Sequence, residues 1–361
     1  MGLCNARSRF RGCLLGGAVG DALGAPVEFP SWAEIREEFG PQGIRDYVPA
    51  YGRCGAITDD TQMTLFTADG LLRARIEHLM RGASDPVLSV CHSYLDWLTT
   101  QDEGKSGRRA VRSPGLLMSA QALYAARAPG ITCLKALRAM DAPTDQRAEN
   151  SSKGCGGVMR VAPCGLAVAE ADPEAAFDLA CRSAALTHGH PTGYLSAGVF
   201  AVLVQGLVAG QSLSGTIGRA RAMLVRKPAH EETLVALDAA VALAARRSSV
   251  MPGPDAVESL GGAWVAEEAL AIAVYVALVS DGFEDGVVLA VNHGGDSDST
   301  GAMAGNLLGA MHGVDAIPAR WLGRLELREL IGQVADDLVD APAWKPSMPD
   351  FADVRRRWPP G

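Results

Sequence analysis

The periodic spacing of apolar residues is the feature that most limits what this chain can fold into. Near the C-terminus, five apolar residues follow the i, i+3, i+4, i+7, i+11 pattern of one helix face: Leu327, Leu330, Ile331, Val334 and Leu338. The stretches 195–208 and 266–279 are apolar almost all round, which is typical of helices at the centre of a bundle. Alternating patterns of Val, Ile and Thr, which would predict β-strands, are scarce. The sequence therefore predicts an all-α protein of roughly ten or more helices.

No break in composition marks a boundary between domains. Hydrophobic residues make up 48% of the chain, so a large buried core is expected. We therefore expect residues 1–340 to form a single domain. The last segment, residues 341–361, is rich in Pro and predicts an extended strap or tail.

Charge and cysteine usage exclude several classes of protein. The formal net charge is −8, whereas sequence-independent binding of nucleic acid needs a basic surface. The eight Cys include no Cys-x-x-Cys pair, so free thiols and a cytoplasmic location are expected, without disulfides or a structural zinc site. No apolar run reaches the roughly 20 residues of a membrane helix. The stretch 13–20 follows three Arg residues, but its Gly content and the adjoining Asp21 argue against a signal peptide.

Two acidic clusters lie far apart in the chain, and each precedes a run of small or apolar residues. The first contains Thr58, Asp59 and Asp60. Taken alone, it is best interpreted as a helix start, in which Thr58 or Asp59 caps the backbone. The second contains Asp296 and Asp298 in the sequence Gly-Gly-Asp-Ser-Asp-Ser. Carboxylates at i, i+2 exceed what capping needs, and they repel one another unless a cation lies between them.

Considered together, the two clusters predict a site for divalent cations. Two such ions would neutralise the charge of the four carboxylates. Oxygen ligands without His or Cys favour Mg²⁺, Mn²⁺ or Ca²⁺ over Zn²⁺. A two-metal site can orient a substrate, polarise its oxygens and activate water. This hypothesis requires that residues near 59 and 297 meet in space.

Glycines recur every four residues on one face of the first predicted helix: Gly12, Gly16, Gly20 and Gly24. Such a face permits very close packing of two backbones. Pro26 is expected to end this helix, which leaves Glu28 just beyond it. By itself, a Glu in this position is usually a solvated surface residue.

Two further segments carry weaker signals. Residues 151–160 form a Gly-rich loop, and such loops can present backbone N–H groups to phosphates, although this one lacks a Walker motif. His188 and His190 end a helical stretch, where a His commonly caps the negative end of the helix dipole. From these residues alone, the structural role is favoured over substrate contact.

Together these segments resemble the ADP-ribosylglycohydrolase family. The matching stretches follow the family order and span most of the chain: residues 12–28, 58–62, 154–163, 186–191, 261–271 and 292–309. The Thr-Asp-Asp triplet and the distant Gly-Gly-Asp-x-Asp-Ser/Thr motif are specific in combination, and neither is specific alone. The resemblance implies a single compact orthogonal helical bundle with two Mg²⁺ at the bottom of a cleft, with Mn²⁺ as an alternative.

The resemblance also implies roles for individual residues. The metal ligands would be Thr58, Asp59, Asp60, Asp296, Asp298 and Ser299. The catalytic residues would be Asp59, Asp296 and Glu28, which matches a mobile Glu of the family. The substrate-binding residues would be Ser152, Lys153, Gly154, Gly156, Gly157, Met159, His188 and Trp264. Among these, the loop wraps the diphosphate, His188 contacts ADP-ribose and Trp264 forms a pocket wall.

Two positions depart from the family pattern. Cys155 replaces an Asn that is frequent in the loop, and Lys153 stands where some members have an aromatic residue. Lys153 could pair with the diphosphate. The adenosine end of the pocket and the acceptor preference therefore stay open.

The reaction implied is release of ADP-ribose from a modified acceptor, with arginine on a protein favoured. Rupture of the bond develops oxocarbenium character, and a carboxylate such as Asp296 or Glu28 would complete proton transfer. The expected partners are ADP-ribose and ADP-ribosylated proteins or small molecules, with no membrane, and with nucleic acid only as an ADP-ribosylated substrate. The rival hypotheses are a two-metal phosphohydrolase acting on a nucleotide diphosphate and a non-catalytic ADP-ribose-binding protein.

Overall fold

The structure is a computed structural model that describes residues 3–101 and 114–360. Helices dominate these residues, and strands are limited there to one short antiparallel hairpin, which confirms the all-α class. The helices are α1 (Leu3–Gly24), α2 (Trp32–Phe39), α3 (Asp59–Arg81), α4 (Pro86–Gln101), α5 (Ile131–Arg138), α6 (Ala162–Ala167), α7 (Pro173–Ala185), α8 (Pro191–Val208), α9 (Leu213–Leu224), α10 (Glu231–Ala245), α11 (Pro254–Glu258), α12 (Ala266–Val279), α13 (Phe283–Val291), α14 (Ser297–His312), α15 (Ala319–Leu322), α16 (Arg328–Asp340) and α17 (Phe351–Arg357). The strands are β1 (Pro49–Ala50) and β2 (Arg53–Cys54).

The two stretches that are apolar all round form central helices. Helix α12 has the predicted bounds, and α8 begins four residues before the predicted stretch because His190 and Pro191 start it. Within the described residues, α8 is the one helix long and apolar enough to cross a membrane, and 89% of it is buried inside the protein. Burial of this kind is typical of a core helix that is apolar on every side.

Helices α1 and α14 pack antiparallel, with their backbones in direct contact. The glycines of α1 face a second glycine series in α14, and the opposed pairs are Gly12 with Gly309, Gly16 with Gly305, and Gly20 with Gly301. A Cβ atom added to any of these six would lie 1.9 to 2.5 Å from the opposing carbonyl oxygen. The C-terminal end of α1 therefore lies against the N-terminal end of α14, so Glu28 and the second acidic cluster are neighbours.

The C-terminal segment corrects the prediction of an extended strap. It contains α17, and five of its side chains are buried against the body: Ala341, Trp344, Phe351, Val354 and Trp358. Asp337 of α16 accepts hydrogen bonds from Arg357 at 2.7 Å and from the Trp358 indole at 2.9 Å. The prediction considered only the Pro content of this segment, whereas Phe351, Val354 and Trp358 have the spacing of one helix face over two turns.

Candidate metal and substrate site

The two acidic clusters meet at the bottom of one cavity of about 480 Å³. Asp59 and Asp60 come from the first turn of α3, and Asp296 and Asp298 come from the start of α14. Carboxylate oxygens of Glu28, Asp296 and Asp298 lie within 4.8 Å of one another. These five residues are called the carboxylate floor below. The structure thus brings together the groups that the metal hypothesis required to meet.

A sixth carboxylate, which sequence reasoning missed, holds the start of α3. Both oxygens of Asp21 accept the Thr58 N–H at 3.0 Å, and Oδ2 also accepts the N–H and the hydroxyl of Thr61. Burial raises the pKa of Asp21 to about 6, although these hydrogen bonds oppose the rise. The available signal was a single charged residue inside the glycine-rich face of α1.

Thr58 caps α3 and does not line the cavity. Its hydroxyl accepts the Asp60 N–H at 3.3 Å, and its side chain is completely buried. The structure therefore shows the capping role that the sequence allowed for this residue. Ser299, the other predicted hydroxyl ligand, does line the cavity.

Burial raises the pKa of every carboxyl group on the floor. The pKa of Glu28 rises to about 8, through burial first and then the charges of Asp296 and Asp59. Burial also raises the pKa values of Asp59, Asp60 and Asp298 well above their usual range, and neighbouring carboxylates raise them further. The pKa of Asp296 is raised by burial as well. Five groups of like charge in one buried place need protons or cations to offset their repulsion.

The donor atoms of the floor suit a hard divalent cation. Among the described residues, the buried oxygens Glu28 Oε2 and Asp60 Oδ1 have no hydrogen-bond partner. A buried carboxylate oxygen without a partner is costly unless a proton or an ion satisfies it. Carboxylate and hydroxyl oxygens are ligands that Mg²⁺ and Mn²⁺ prefer. The residues present therefore fit the group that the sequence predicted, and the floor would hold it.

Five predicted substrate residues lie on the wall of the same cavity: Gly154, Gly156, Met159, His188 and Trp264. The loop that carries the first three is tied to the residues before α12. Gly154 forms an antiparallel bridge with Val265, and the Cys155 N–H donates to the Trp264 carbonyl at 3.2 Å. These backbone contacts fix the spacing between the Gly-rich loop and Trp264.

His188 lines the cavity, and its backbone N–H also donates to the Ala184 carbonyl at 3.1 Å at the end of α7. Helix α7 ends at Ala185, and the His188 ring contacts the loop, where a Cβ on Gly156 would lie 3.2 Å from its Cε1. Burial and then the charge of Arg160 lower the pKa of His188 to about 3, so the ring is neutral at ordinary pH. His190 is a cap, but at the start of α8, where Nδ1 accepts the Thr192 N–H.

Three predicted substrate residues do not line this cavity. The Lys153 ammonium binds Glu232 at 2.9 Å and also binds Glu267, and it lines a separate cavity with both. Ser152 Oγ lies 3.1 Å from Thr132 Oγ1. Gly157 packs beneath the loop, where a Cβ would lie 3.3 Å from the Gly193 carbonyl oxygen. The suggested pairing of Lys153 with the diphosphate is thus corrected, because two glutamates hold the ammonium elsewhere.

Several residues that were not predicted to act at the cavity also line it, among them Cys155 and Phe29. The Cys155 thiol donates to Asp296 Oδ2 at 2.7 Å, beside the carboxylate floor. Phe29 is 72% exposed and stacks on Trp264, with ring centroids 6.0 Å apart. The sequence offered a signal for each, namely the departure from the family at position 155 and the aromatic residue that follows Glu28.

The chain is similar to proteins of one family along nearly its whole length. The matching family is described as ADP-ribosylglycohydrolase, and the match covers residues 4–347. The ADP-ribosyl-[dinitrogen reductase] glycohydrolase of Rhodospirillum rubrum is 27% identical over 332 residues, which are 90% of this chain and 92% of that protein. A solved ADP-ribosylglycohydrolase-related protein complex matches with a TM-score of 0.65 and 27% identity, over 94% of this chain and 99% of that chain. A shorter match, 37% identical over 71 residues, joins 20% of this chain to 19% of the ADP-ribosylarginine hydrolase Tri1 of Serratia proteamaculans.

Proposed function

Because the chain belongs to the ADP-ribosylglycohydrolase family, we propose that it is a magnesium-dependent hydrolase that releases ADP-ribose from ADP-ribosylated arginine on proteins. The convergence of the carboxylate floor at the bottom of one cavity carries this proposal. Mn²⁺ would serve in place of Mg²⁺. The arginine acceptor is supported by the short match to an ADP-ribosylarginine hydrolase.

The cavity suits a nucleotide-sized ligand. Its volume of about 480 Å³ falls in the range of about 300 to 1,000 Å³ for small-molecule sites. We assign the diphosphate to the Gly154–Gly156 backbone, a hydrogen bond from the ligand to the neutral His188, and a ribose or base face to the Trp264 ring. The floor then lies under the ribose that carries the acceptor.

The reaction breaks the bond between the anomeric carbon and the acceptor nitrogen. A water oxygen forms the new bond to carbon, and the nitrogen leaves with the electron pair and gains a proton. Bound divalent cations would neutralise the floor and act as Lewis acids. Of the two candidate bases, Glu28 is better placed to take the proton of the water, because among the described residues its Oε2 has no partner, whereas Asp296 Oδ2 accepts the Cys155 thiol.

We also propose a cytoplasmic location for this reaction. Three cysteines are free thiols at completely buried positions in the core: Cys13, Cys133 and Cys164. Free thiols persist in a reducing compartment. The modified proteins on which the chain would act are then other proteins of the same compartment.

An ADP-ribosylated arginine peptide tests the proposal. Chromatography should show free ADP-ribose in Mg²⁺, none in EDTA, and none with Asp59→Ala. The control Asp281→Ala should retain activity, because that side chain is 78% exposed and does not line the cavity. AMP as the product would identify the phosphohydrolase instead. Calorimetric binding of ADP-ribose without turnover of arginine- or serine-linked substrates would indicate a non-catalytic binding protein.

A further inference from the structure

The Cys155 thiol lies at the metal site with its backbone held on both sides. The Cys155 N–H donates to the Trp264 carbonyl at 3.2 Å, and the Cys155 carbonyl accepts the N–H groups of Val158 at 2.8 Å and Met159 at 3.1 Å. This short 3₁₀ turn aims Sγ at the floor, where it donates to Asp296 Oδ2 at 2.7 Å. The Ser299 hydroxyl lies 3.7 Å from the same sulfur atom.

Two carboxylate oxygens of the cavity that contains this thiol have no partner among the described residues and could bind a ligand. Glu28 and Asp60 are 7% and 3% exposed, and within the described chain Glu28 Oε2 and Asp60 Oδ1 have no partner. Both residues line the cavity that Cys155 lines. One sulfur donor and several carboxylate oxygens thus border one buried space. Oxygen ligands alone give little preference for soft cations, whereas a thiolate ligand favours them.

We propose that Cys155 makes part of the carboxylate floor into a binding site for a thiophilic divalent cation of the Zn²⁺ and Cd²⁺ class, held by Cys155 Sγ together with Asp296 and a second floor carboxylate. As the sulfur–metal bond forms, the thiol proton passes to solvent and the hydrogen bond to Asp296 is replaced by shared coordination. Such an ion would occupy space proposed for Mg²⁺ and would therefore inhibit hydrolysis. The inference depends on the proposed function only through this last consequence.

Cadmium binding to the full-length, metal-free chain provides a direct readout. Titration with Cd²⁺ should produce a sulfur-to-cadmium charge-transfer band in the ultraviolet that saturates at one ion per chain and is displaced by Zn²⁺. Cys155→Asn should abolish the saturable band and weaken Cd²⁺ binding by at least about tenfold, because loss of even a supporting group near a metal costs 10- to 100-fold. Cys54→Ser is the matched control, since Cys54 lies in β2 and does not line the cavity, and it should leave the band unchanged.

A second variant and a second ion separate this inference from misfolding and from the proposed function. Asp296→Asn should also weaken Cd²⁺ binding, and Cys155→Asn should still be stabilised against heat by Mg²⁺. A saturable band of equal intensity in Cys155→Asn, or its loss in Cys54→Ser, would overturn the inference. Because the band does not require turnover, failure to hydrolyse ADP-ribosylated arginine would contradict the proposed function and leave the cadmium result standing.

Discussion

The floor and the wall of the cavity are built in different ways. The floor rests on two helix ends, which are fixed by the glycine contact of α1 with α14 and by the hydrogen bonds of Asp21. The wall consists of a loop joined to Trp264 by backbone contacts, of the buried His188 and of an exposed aromatic pair, in which Trp264 is 47% and Phe29 is 72% exposed. The buried floor would perform the chemistry, and the exposed aromatic pair would select the substrate. Substitutions in the two regions should therefore change different kinetic constants.

The largest effect is expected on the floor. Asp298→Asn keeps the shape of the side chain but removes a charge that would bind a cation, so kcat/KM should fall by roughly a thousandfold or more. Initial rates of ADP-ribose release measure this effect, with the exposed Asp281→Asn as the control and circular dichroism as the test of folding. A rate within tenfold of the unsubstituted protein would show that the floor does not carry the reaction.

Substitutions in the α1–α14 contact that supports the floor should change the stability of the protein. Gly305→Ala would place a Cβ 2.1 Å from the Gly16 carbonyl oxygen, so α1 and α14 must separate. We expect a loss of about 1–3 kcal/mol in the free energy of unfolding, which urea denaturation measures. Gly332→Ala in α16 is the matched control, because its Cβ would meet nothing within 4 Å, and it should stabilise by about 0.5–1 kcal/mol. Equal stability of the two variants would contradict the close packing.

The same contrast explains what the sequence could predict. Helices such as α12 and α16, and the paired aspartates, follow from local spacing and were predicted from it. The glycines that face those of α1 could not be predicted from local spacing, because this contact joins distant segments. Gly301, Gly305 and Gly309 nevertheless recur every four residues, as the glycines of α1 do. The ion pairs of the Lys153 ammonium were not predictable either, because its partners Glu232 and Glu267 lie far along the chain.

On the wall, we expect a smaller effect that is confined to binding. Trp264→Ala removes the flat ring of the cavity mouth, and base–aromatic stacking contributes about 1–3 kcal/mol, so KM should rise about tenfold or more while kcat changes little. Phe29→Ala should cost less, because that ring is the more exposed of the pair. Steady-state kinetics with a fixed peptide measures both. A fall in kcat as large as that of a floor variant would remove the distinction between floor and wall.

The smallest effect is expected on the pH dependence of stability, through His188 on the wall. Because burial lowers the pKa of His188 to about 3, the unfolded chain binds a proton between about pH 6.5 and pH 3 that the folded chain does not, and stability falls as pH falls through this window. His188→Gln should reduce the loss between pH 7 and pH 5.5 by about 1 kcal/mol. Part of the slope should remain, since burial also lowers the pKa of His293, to about 4. Urea denaturation at both pH values measures the slope, and a slope unchanged by His188→Gln would mean that His188 is protonated equally in both states and that the ring offered to ADP-ribose is not held neutral by the fold.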